Sequence, residues 1–370
     1  MDALKETITA NPGIWLASGG LVFGLVFGAI VQSTNFCTMG AISDIRAFGD
    51  WRRFRAWVLA AAIALIGAQA LESAGVVQLA KSMYLTPTLN WFGHGVGGAM
   101  FGFGMVLSGG CASRNLARVG AGDLRALMVL MVMGIFAYMT IGGLIGPLRA
   151  TLEQATAFNL SAFVGAKLAT QGLGEIIGTI ARFATPTGNL VVTALIGGGA
   201  LVYCFKDSKF RASPVHILAG LGIGLVAVAG WALTGLAFDD LADKPVAPVS
   251  LTYVRPTADT LEWMQRFTAA MMPGFGVTTV LGAILGAFLV ALAKGTFRLQ
   301  TFADVGDTRR NLLGAVMMGI GGVMALGCTV GQAITGVSTL ALGSFITFAA
   351  IVAGAVAGLR ALERMLEAEI

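Results

Sequence analysis

The chain has 370 residues, of which 56% are hydrophobic and only 12% are charged, and its net charge is +5. Soluble domains carry roughly 25% charged residues, so this composition excludes a soluble globular protein and predicts an all-α polytopic membrane protein in a lipid bilayer. The positive charge suits basic loops on one side of a membrane, and no basic stretch with interleaved aromatic residues indicates nucleic-acid binding. The 52 glycines predict closely packed membrane helices.

Nine apolar segments are long enough to cross a bilayer, for which a helix needs about 20 residues. In chain order they are residues 14–34, 57–78, 91–110, 126–147, 188–205, 215–237, 267–293, 311–327 and 338–359. The segments 91–110 and 311–327 are short, and each leads into a Gly-Cys turn. Between Glu153 and Arg182 the apolar pieces are too short to span, which predicts re-entrant or interfacial helices. Residues 1–370 are expected to form one integral membrane transport domain.

Basic residues collect in alternate loops, namely those after the first, third, fifth and seventh predicted spans, and in the C-terminal tail. The loop after the sixth span is acidic and holds Asp239, Asp240, Asp243, Asp259 and Glu262. Since Lys and Arg favour cytoplasmic loops, nine spans predict an N-terminus outside, in the periplasm, and a C-terminus in the cytoplasm. The expected location is a bacterial inner membrane.

An internal repeat is visible when the chain is shifted by 217 positions, because Cys111 then falls on Cys328 and Gly110 on Gly327. Further identities in this register include Gly97, Gly102, Gly104 and Val106, which fall on Gly314, Gly319, Gly321 and Val323. In the predicted topology the two copies run in opposite directions. The pattern therefore predicts inverted pseudo-repeats, approximately residues 14–147 and 215–359, whose broken helices meet near the midplane.

Three of the four cysteines, Cys37, Cys111 and Cys328, follow an apolar span and stand beside small polar residues or glycine. Non-helical backbone at membrane depth must be buried in protein or line a cavity, because lipid cannot satisfy its polar groups. These three cysteines are therefore candidates for a functional path. Cys204 has no Gly-rich turn and no repeat partner, and it is interpreted as a packing residue.

A neutral thiol is a weak donor and a soft, polarisable acceptor, which suits a small sulfur-bearing anion better than a hard oxyanion. Backbone N–H groups at the starts of half-helices stabilise negative charge where glycine permits close approach. Weak binding at several such stations lets a permeant leave as well as enter. The candidate substrate-binding residues are Cys37, Cys111, Cys328, Gly110, Gly327, Gly331 and Gln332, and Arg114 or Arg118 is a candidate for steering an anion.

These motifs resemble those of the YeeE/YedE family, the sulfur-transport family of bacterial thiosulfate uptake proteins. The resemblance rests on Phe36-Cys37, on Gly109-Gly110-Cys111 and on the stretch from Gly327-Cys328 to Ser338, and it covers nearly the whole chain. It implies a nine-span, hourglass-shaped fold in which Cys37, Cys111 and Cys328 hand thiosulfate along through thiol–sulfur hydrogen bonds. It also implies a cytoplasmic TusA-like sulfur-carrier protein as a partner.

Two other functions stay open on the sequence. A membrane-embedded sulfurtransferase or thiol-redox enzyme needs a thiol activated by a nearby base or cation, and of the three motif cysteines only Cys111 has one close by in the chain, Arg114. A permease for a selenium analogue is the second. Arg114 stands where the family's Gly-Cys-x-x-Gly pattern has glycine, and this departure leaves the identity of the transported anion open. The sequence favours a transporter over an enzyme. It predicts no cofactor and no metal site, since no cysteine lies near a histidine at ligand spacing.

Overall fold

The computed structural model of the chain describes residues 2–241, 245–269 and 271–368, so Asp243 of the acidic loop lies outside the described residues. Helices make up 76% of the structure, and the all-α prediction is confirmed. The α-helices are α1 (Asp2–Ala10), α2 (Pro12–Thr34), α3 (Thr38–Phe48), α4 (Arg52–Ser73), α5 (Gly98–Leu107), α6 (Ala112–Gly120), α7 (Leu124–Ile141), α8 (Gly146–Thr156), α9 (Leu160–Val164), α10 (Leu173–Ala181), α11 (Thr185–Lys206), α12 (Ser208–Arg211), α13 (Pro214–Leu236), α14 (Val254–Gln265), α15 (Phe275–Ala293), α16 (Val305–Met324) and α17 (Leu342–Ala368).

Short irregular elements complete the described chain. Single 3₁₀ turns cover Leu79–Lys81 and Phe267–Ala269, and π-helical segments cover Gly93–Gly97 and Gly331–Gly336. The last of these follows the Gly327-Cys328 turn. Because π-helical turns are rare and occur often at functional sites, this segment is a first indication of where the site lies.

Eight helical stretches among the described residues are long and apolar enough to cross a membrane, against nine predicted from the sequence. The difference is the span expected at 311–327, which corresponds to α16. Asp307, Arg309 and Arg310 occupy the first turns of α16, so only Asn311 to Met324 is free of charge. A full crossing needs about 20 apolar residues, so α16 is too short to cross by itself and ends in the Gly327-Cys328 turn. A ninth crossing that combines α16 with the helical residues after this turn stays a prediction.

The region between Glu153 and Arg182 holds only short elements, as the sequence predicts. Strand β2 (Ala157–Asn159) pairs antiparallel with β1 (Thr88–Asn90), and α9 and α10 have five and nine residues. The side chain of Gln171 ties this region to the bundle. Its Nε2 donates to the carbonyl of Tyr84 at 3.0 Å, and its Oε1 accepts from the N–H of Gly343 at 3.0 Å.

The long helices form two related sets of pairs. Helix α2 packs along α15 and α13 along α4, while α5 packs against α17 and α16 against α7. Exchanging α2 with α13, α4 with α15, α5 with α16 and α7 with α17 converts each pairing into another, as expected for two repeats. The proposed repeat bounds, 14–147 and 215–359, stay a prediction.

Glycine lets these helices approach closely, as the composition predicts. A Cβ at Gly28 of α2 would stand 2.0 Å from the carbonyl oxygen of Ala283 on α15. The equivalent contact between α13 and α4 involves Gly224, where a Cβ would stand 2.9 Å from the carbonyl oxygen of Ala60. Any side chain at these positions would separate the two helices, because the neighbouring backbone cannot move aside alone.

Large apolar side chains are exposed on the outer helix faces. On α11, Leu190 and Leu195 are each 70% exposed and Val202 is 68% exposed, and Leu218 on α13 is 66% exposed. Soluble monomers rarely leave so much contiguous apolar surface uncovered. These faces are suited to the acyl chains of a bilayer.

Candidate functional site

The three cysteines identified from the sequence follow helix ends of the same design. Helices α2, α5 and α16 each terminate at a residue with left-handed backbone two positions before the cysteine: Asn35 (φ 54°), Gly109 (φ 66°) and Leu326 (φ 57°). A left-handed residue ends an α-helix by satisfying its last carbonyls and turning the chain. Each cysteine then begins a new helical segment.

The second and third breaks match each other in detail. Gly110 and Gly327 have φ of 158° and 156°, a conformation that residues with a Cβ rarely adopt. The N–H of Gly110 donates to the carbonyl of Met105 at 2.8 Å, and that of Gly327 donates to the carbonyl of Gly322 at 2.8 Å. Met105 and Gly322 are also 217 positions apart, so the repeat seen in the sequence is present in the backbone hydrogen bonds.

Backbone N–H groups of the new helices point at two of the sulfur atoms. The N–H of Gly40 donates to Cys37 Sγ at 3.5 Å, and the N–H of Gly331 donates to Cys328 Sγ at 3.4 Å. Cys111 Sγ lies 3.3 Å from the side-chain Oγ of Ser113, which is in the first turn of α6. Each sulfur therefore lies at a helix N-terminus, where free N–H groups and the helix dipole favour negative charge.

The structure brings all three thiols together. The thiols of Cys37 and Cys111 face each other. The hydroxyl of Thr329, which is next to Cys328 in the chain, also lies near the Cys111 sulfur. Cys111 and Cys328 are fully buried and Cys37 is 5% exposed, so the thiols form one chain through the interior.

A cavity of about 530 Å³ opens at one end of this chain of thiols. We call it the Cys37 cavity. Its lining includes Cys37, Gly109, Arg53, Arg114 and Asp123. Polar and basic groups dominate it, which suits an anion.

Arg114 and Arg118 have different positions at the Cys37 cavity. The Arg114 guanidinium donates to Asn35 Oδ1 at 2.9 Å and to the Val31 carbonyl at 3.5 Å, and its charge acts on both Cys37 and Cys111. It has no carboxylate partner among the described residues. Arg114 is therefore the arginine positioned to attract an anion to these thiols.

Arg118 instead holds the turn before Cys111. It donates to the carbonyls of Ser108 and Gly109 at 3.2 and 3.3 Å and pairs with Asp123 at 2.7 Å. Burial raises the pKa of the Asp123 carboxyl, but the hydrogen bonds and charges of Arg125 and Arg118 outweigh burial, so this pKa is lowered overall. The Asp123 partner of Arg118 is thus charged at neutral pH, and Arg118 positions the turn.

A second cavity, of about 510 Å³, reaches the break before Cys328. We call it the Gly327 cavity, and its lining includes Gly327, Leu326, Thr252, Arg149 and Asp259. The two cavities lie at opposite ends of the helix bundle. Asp123, just before α7, lines the Cys37 cavity, whereas Ile141, the last residue of α7, lines the Gly327 cavity.

The remaining sequence candidates shape the turn at Cys328. Gln332 Nε2 donates to the carbonyl of Ala325, at the end of α16. A Cβ at Gly331 would stand 2.5 Å from Thr252 Oγ1, so glycine is needed for this approach. Gln332 and Gly331 therefore hold the segment that carries the sulfur, and their contact with a substrate stays a prediction.

Sequence reasoning missed two tyrosines beside Cys328. Tyr84 is 2% exposed and Tyr253 is fully buried, and both lie near the Cys328 sulfur. The only signal in the sequence is that each lies in a segment between spans, where a buried aromatic residue is not expected. Their approach to Cys328 depends on tertiary folding.

Cys204 lies apart from this site, as expected for a packing residue. Its buried thiol donates to the carbonyl of Arg55 at 3.3 Å. Within the described residues, no group of three or more His, Cys, Asp or Glu side chains is arranged to hold a metal ion. The polar groups around the three motif cysteines are thiols, hydroxyls, backbone N–H groups and the guanidinium of Arg114.

Comparison with known proteins identifies the family. The family model described as "Sulphur transport" matches residues 33–357, which include all three motif cysteines. The thiosulfate transporter TsuA of Escherichia coli is 28% identical over 329 residues, 85% of each chain, and TsuA of Spirochaeta thermophila is 27% identical over 347 residues, 88% of this chain and 93% of that one. The probable transporter YedE of Escherichia coli is 28% identical over 120 residues, 32% of this chain and 27% of that one. With its three buried thiols between two cavities, this chain belongs to the sulphur-transport family of membrane proteins.

Proposed function

We propose that the chain is a permease for thiosulfate or a closely related small sulfur anion, which passes along the thiols of Cys328, Cys111 and Cys37. The observation that carries the proposal is the row of three buried thiols between cavities at opposite ends of the bundle. Two relatives named as thiosulfate transporters cover most of the chain, and this supports thiosulfate as the anion.

The order of the stations follows from the cavities that adjoin them. Gly327, next to Cys328, lines one cavity, and Cys37 lines the other. Cys111 lies between them, since it faces both Cys37 and Thr329. An anion that enters through the Gly327 cavity therefore meets Cys328 first and leaves past Cys37.

Each station binds the anion weakly and without a covalent bond. A neutral thiol donates one weak hydrogen bond through its S–H, and its sulfur is soft enough to suit the terminal sulfur of thiosulfate. The helix N-terminus behind each thiol offsets part of the anion's lost hydration, by roughly 0.3–2 kcal/mol per terminus. Binding of this strength lets the anion move on to the next station. The thiols are unchanged after each passage, so the chain acts as a transporter and not as an enzyme.

The proposed orientation puts the Cys37 cavity on the cytoplasmic side of a bacterial inner membrane. Arg53 and Arg114 line this cavity, and the loops around it hold many of the basic residues, as cytoplasmic loops do. The N-terminus then lies in the periplasm and the C-terminus in the cytoplasm. A small cytoplasmic sulfur-carrier protein is the proposed acceptor of the sulfur that leaves this cavity.

Uptake of ³⁵S-labelled thiosulfate into proteoliposomes tests the permease. We expect uptake by the wild-type chain and a loss of at least tenfold in Cys111→Ser and in Cys328→Ser, because a hydroxyl is smaller and harder than a thiol. Cys204→Ser is the matched control and should transport normally, since a serine hydroxyl also donates to the Arg55 carbonyl. Normal transport by both motif variants would sink the relay.

Mass spectrometry of the loaded protein separates the permease from a sulfurtransferase. We expect unmodified Cys37, Cys111 and Cys328 after exposure to thiosulfate. A persulfide on one of them that a small thiol acceptor removes would show covalent turnover and contradict the non-covalent relay. Competition by sulfate, sulfite and selenium analogues in the same vesicles identifies the preferred anion.

A further inference from the structure

The phenols of Tyr84 and Tyr253 are buried polar groups that lack partners. Neither hydroxyl has a hydrogen-bond partner among the described residues, although Tyr84 is only 2% exposed and Tyr253 is fully buried. An unpaired buried hydroxyl lowers stability, because it gives up its hydrogen bonds to water without replacement. Such groups are rare in folded proteins and each requires an explanation.

Both tyrosines lie near the Cys328 station, which they reach from different parts of the chain. A Cβ at Gly331 would stand 3.6 Å from Tyr84 Oη, and the N–H of Gly331 donates to Cys328 Sγ at 3.4 Å. The backbone of Tyr253 lies close to the same sulfur. The Tyr253 ring packs on Phe27 with ring centroids 4.8 Å apart.

The segments that carry the two tyrosines are held firmly. Thr335 Oγ1 donates to the Leu251 carbonyl at 2.6 Å, and Ser250 Oγ donates to the Ala227 carbonyl at 2.6 Å. These two hydrogen bonds hold the segment that leads to Tyr253. The Tyr84 carbonyl accepts from Gln171 Nε2 at 3.0 Å. The hydroxyls are thus preorganised, as a binding site requires.

We propose that Tyr84 and Tyr253 form an oxygen-binding subsite at Cys328, in which the two phenolic O–H groups donate to the sulfonate oxygens of the anion while the thiol meets its terminal sulfur. The subsite rests on the proposed permease and extends it to specificity. Neutral O–H donors replace water around the anion without the strong attraction of an arginine, so the anion is bound and then released.

This subsite makes recognition depend on both ends of the anion. Thiosulfate offers oxygens to the phenols and a soft sulfur to Cys328. Hydrosulfide has no oxygens, and sulfate has no terminal sulfur. Each of these ions therefore uses only half of the subsite. The other half is left without its partner, and a buried polar group without a hydrogen bond weakens binding.

Phenylalanine substitutions test the two hydroxyls without changing ring packing. In Tyr84→Phe and Tyr253→Phe we expect the KM for thiosulfate uptake to rise roughly tenfold to a hundredfold, as expected for loss of a hydrogen bond to a charged ligand. The inhibition constant of hydrosulfide should stay unchanged, since hydrosulfide does not use the phenols. Tyr203→Phe is the control. Tyr203 is on α11, away from the thiols, and the Arg55 guanidinium of α4 lies over its ring.

Thermal unfolding of the purified protein in detergent distinguishes this subsite from a structural role. Without ligand, both Phe variants should melt at or above the wild-type temperature, because an unpaired hydroxyl has been removed. Thiosulfate should raise the melting temperature of the wild-type protein and of Tyr203→Phe, and raise that of the two variants much less. A lowered melting temperature without ligand, or an unchanged KM and unchanged ligand stabilisation in both variants, would overturn the subsite.

The two measurements separate the failures of the two proposals. If the wild-type protein is stabilised by thiosulfate through the tyrosines but vesicles show no uptake, the permease is wrong and the subsite stands. If uptake is normal and the Phe variants behave as wild type, the subsite is wrong and the permease stands. If the wild-type chain neither binds thiosulfate nor takes it up, both proposals are wrong. Stabilisation by sulfite or sulfate equal to that by thiosulfate would contradict the two-ended recognition.

Discussion

Gly110 and Gly327 have nearly the same backbone conformation, with φ of 158° and 156°, and each lies directly before a fully buried cysteine. Their N–H groups close equivalent turns at the ends of α5 and α16. Two chain segments that differ in most side chains thus reach the same geometry. This is expected if the breaks are selected for where they direct Cys111 and Cys328.

Alanine at either glycine should destabilise the breaks. Gly110→Ala combines backbone strain with a contact 3.0 Å from Arg114 Cγ, whereas at Gly327 the nearest atom, Gln332 Cγ, is 3.5 Å away. We expect a loss of about 1–3 kcal/mol from strain at each position, and the larger loss at Gly110. Thermal unfolding in detergent and vesicle uptake measure the two effects.

The control for these glycines is Gly198→Ala on α11, where a Cβ has no neighbour within 4 Å. Because alanine is favoured over glycine in a helix interior by about 1 kcal/mol, this variant should be as stable as the wild type or more stable. If Gly110→Ala matched Gly198→Ala in stability and uptake, the backbone conformation of Gly110 would have no structural importance.

Arg114 and Arg118 should respond differently to replacement by glutamine. Arg114→Gln removes the charge that faces Cys37 and Cys111, so we expect uptake to fall about tenfold while the melting temperature changes little. Arg118→Gln frees the carbonyls of Ser108 and Gly109 and the Asp123 carboxylate, and should cost on the order of 2–3 kcal/mol of stability.

Salt dependence strengthens the comparison of the two arginines. Screening weakens attraction between an ion and an exposed charge, so wild-type uptake should fall with added inert salt and the uptake of Arg114→Gln should fall less. Equal salt dependence in both proteins, with equal uptake, would show that Arg114 does not attract the anion.

Asp123 predicts a pH dependence of stability. Burial raises its pKa, but Arg125 and Arg118 lower this pKa by more than burial raises it. The folded-state pKa therefore lies below the ordinary value of 3.8. A carboxyl with a lowered folded-state pKa stabilises the protein fully above its unfolded-state pKa, and this stabilisation is lost as the pH falls through the folded-state value. Asp123→Asn should therefore melt below the wild type at pH 7, and the difference should narrow below pH 3.8.

The matched control for Asp123 is Asp240→Asn. Asp240 pairs with Lys81 at 3.3 Å, but both side chains are at least half exposed, and such surface pairs contribute roughly 0–1 kcal/mol. Its melting temperature should stay close to that of the wild type at every pH. A gap between Asp123→Asn and the wild type that is constant with pH would assign the effect to shape rather than charge.

The sequence predicts the helical class, the thiols and the repeat, because each depends on local pattern. Apolar length marks the spans, and the register of Cys111 on Cys328 survives in the backbone turns. The segment at 311–327 forms α16, but the charged start of this helix leaves too short an apolar stretch for α16 to qualify as a span by itself. Tyr84 and Tyr253 were missed because they approach Cys328 from separate loops. Such approaches depend on long-range packing and have no periodic signal.

Side-specific thiol labelling tests the order of the cysteines and the orientation of the chain. Cys37 lines the basic Cys37 cavity, so a membrane-impermeant methanethiosulfonate reagent added from the cytoplasmic side should modify Cys37 first. A negatively charged reagent should react faster than a positively charged one, because Arg53 and Arg114 line the same cavity and attract negative charge. Mass spectrometry of inside-out and right-side-out vesicles identifies the modified cysteine.

Thiosulfate and two variants complete this labelling experiment. Bound thiosulfate should slow the modification of Cys37, and Cys37→Ser should remove the fast reaction altogether. Cys204 should stay unmodified, since its thiol is buried against the Arg55 carbonyl. Labelling of Cys37 only from the periplasmic side would reverse the proposed orientation. Fast labelling of Cys328 from the cytoplasmic side would reverse the order of the stations, because Cys328 would then adjoin the basic cavity.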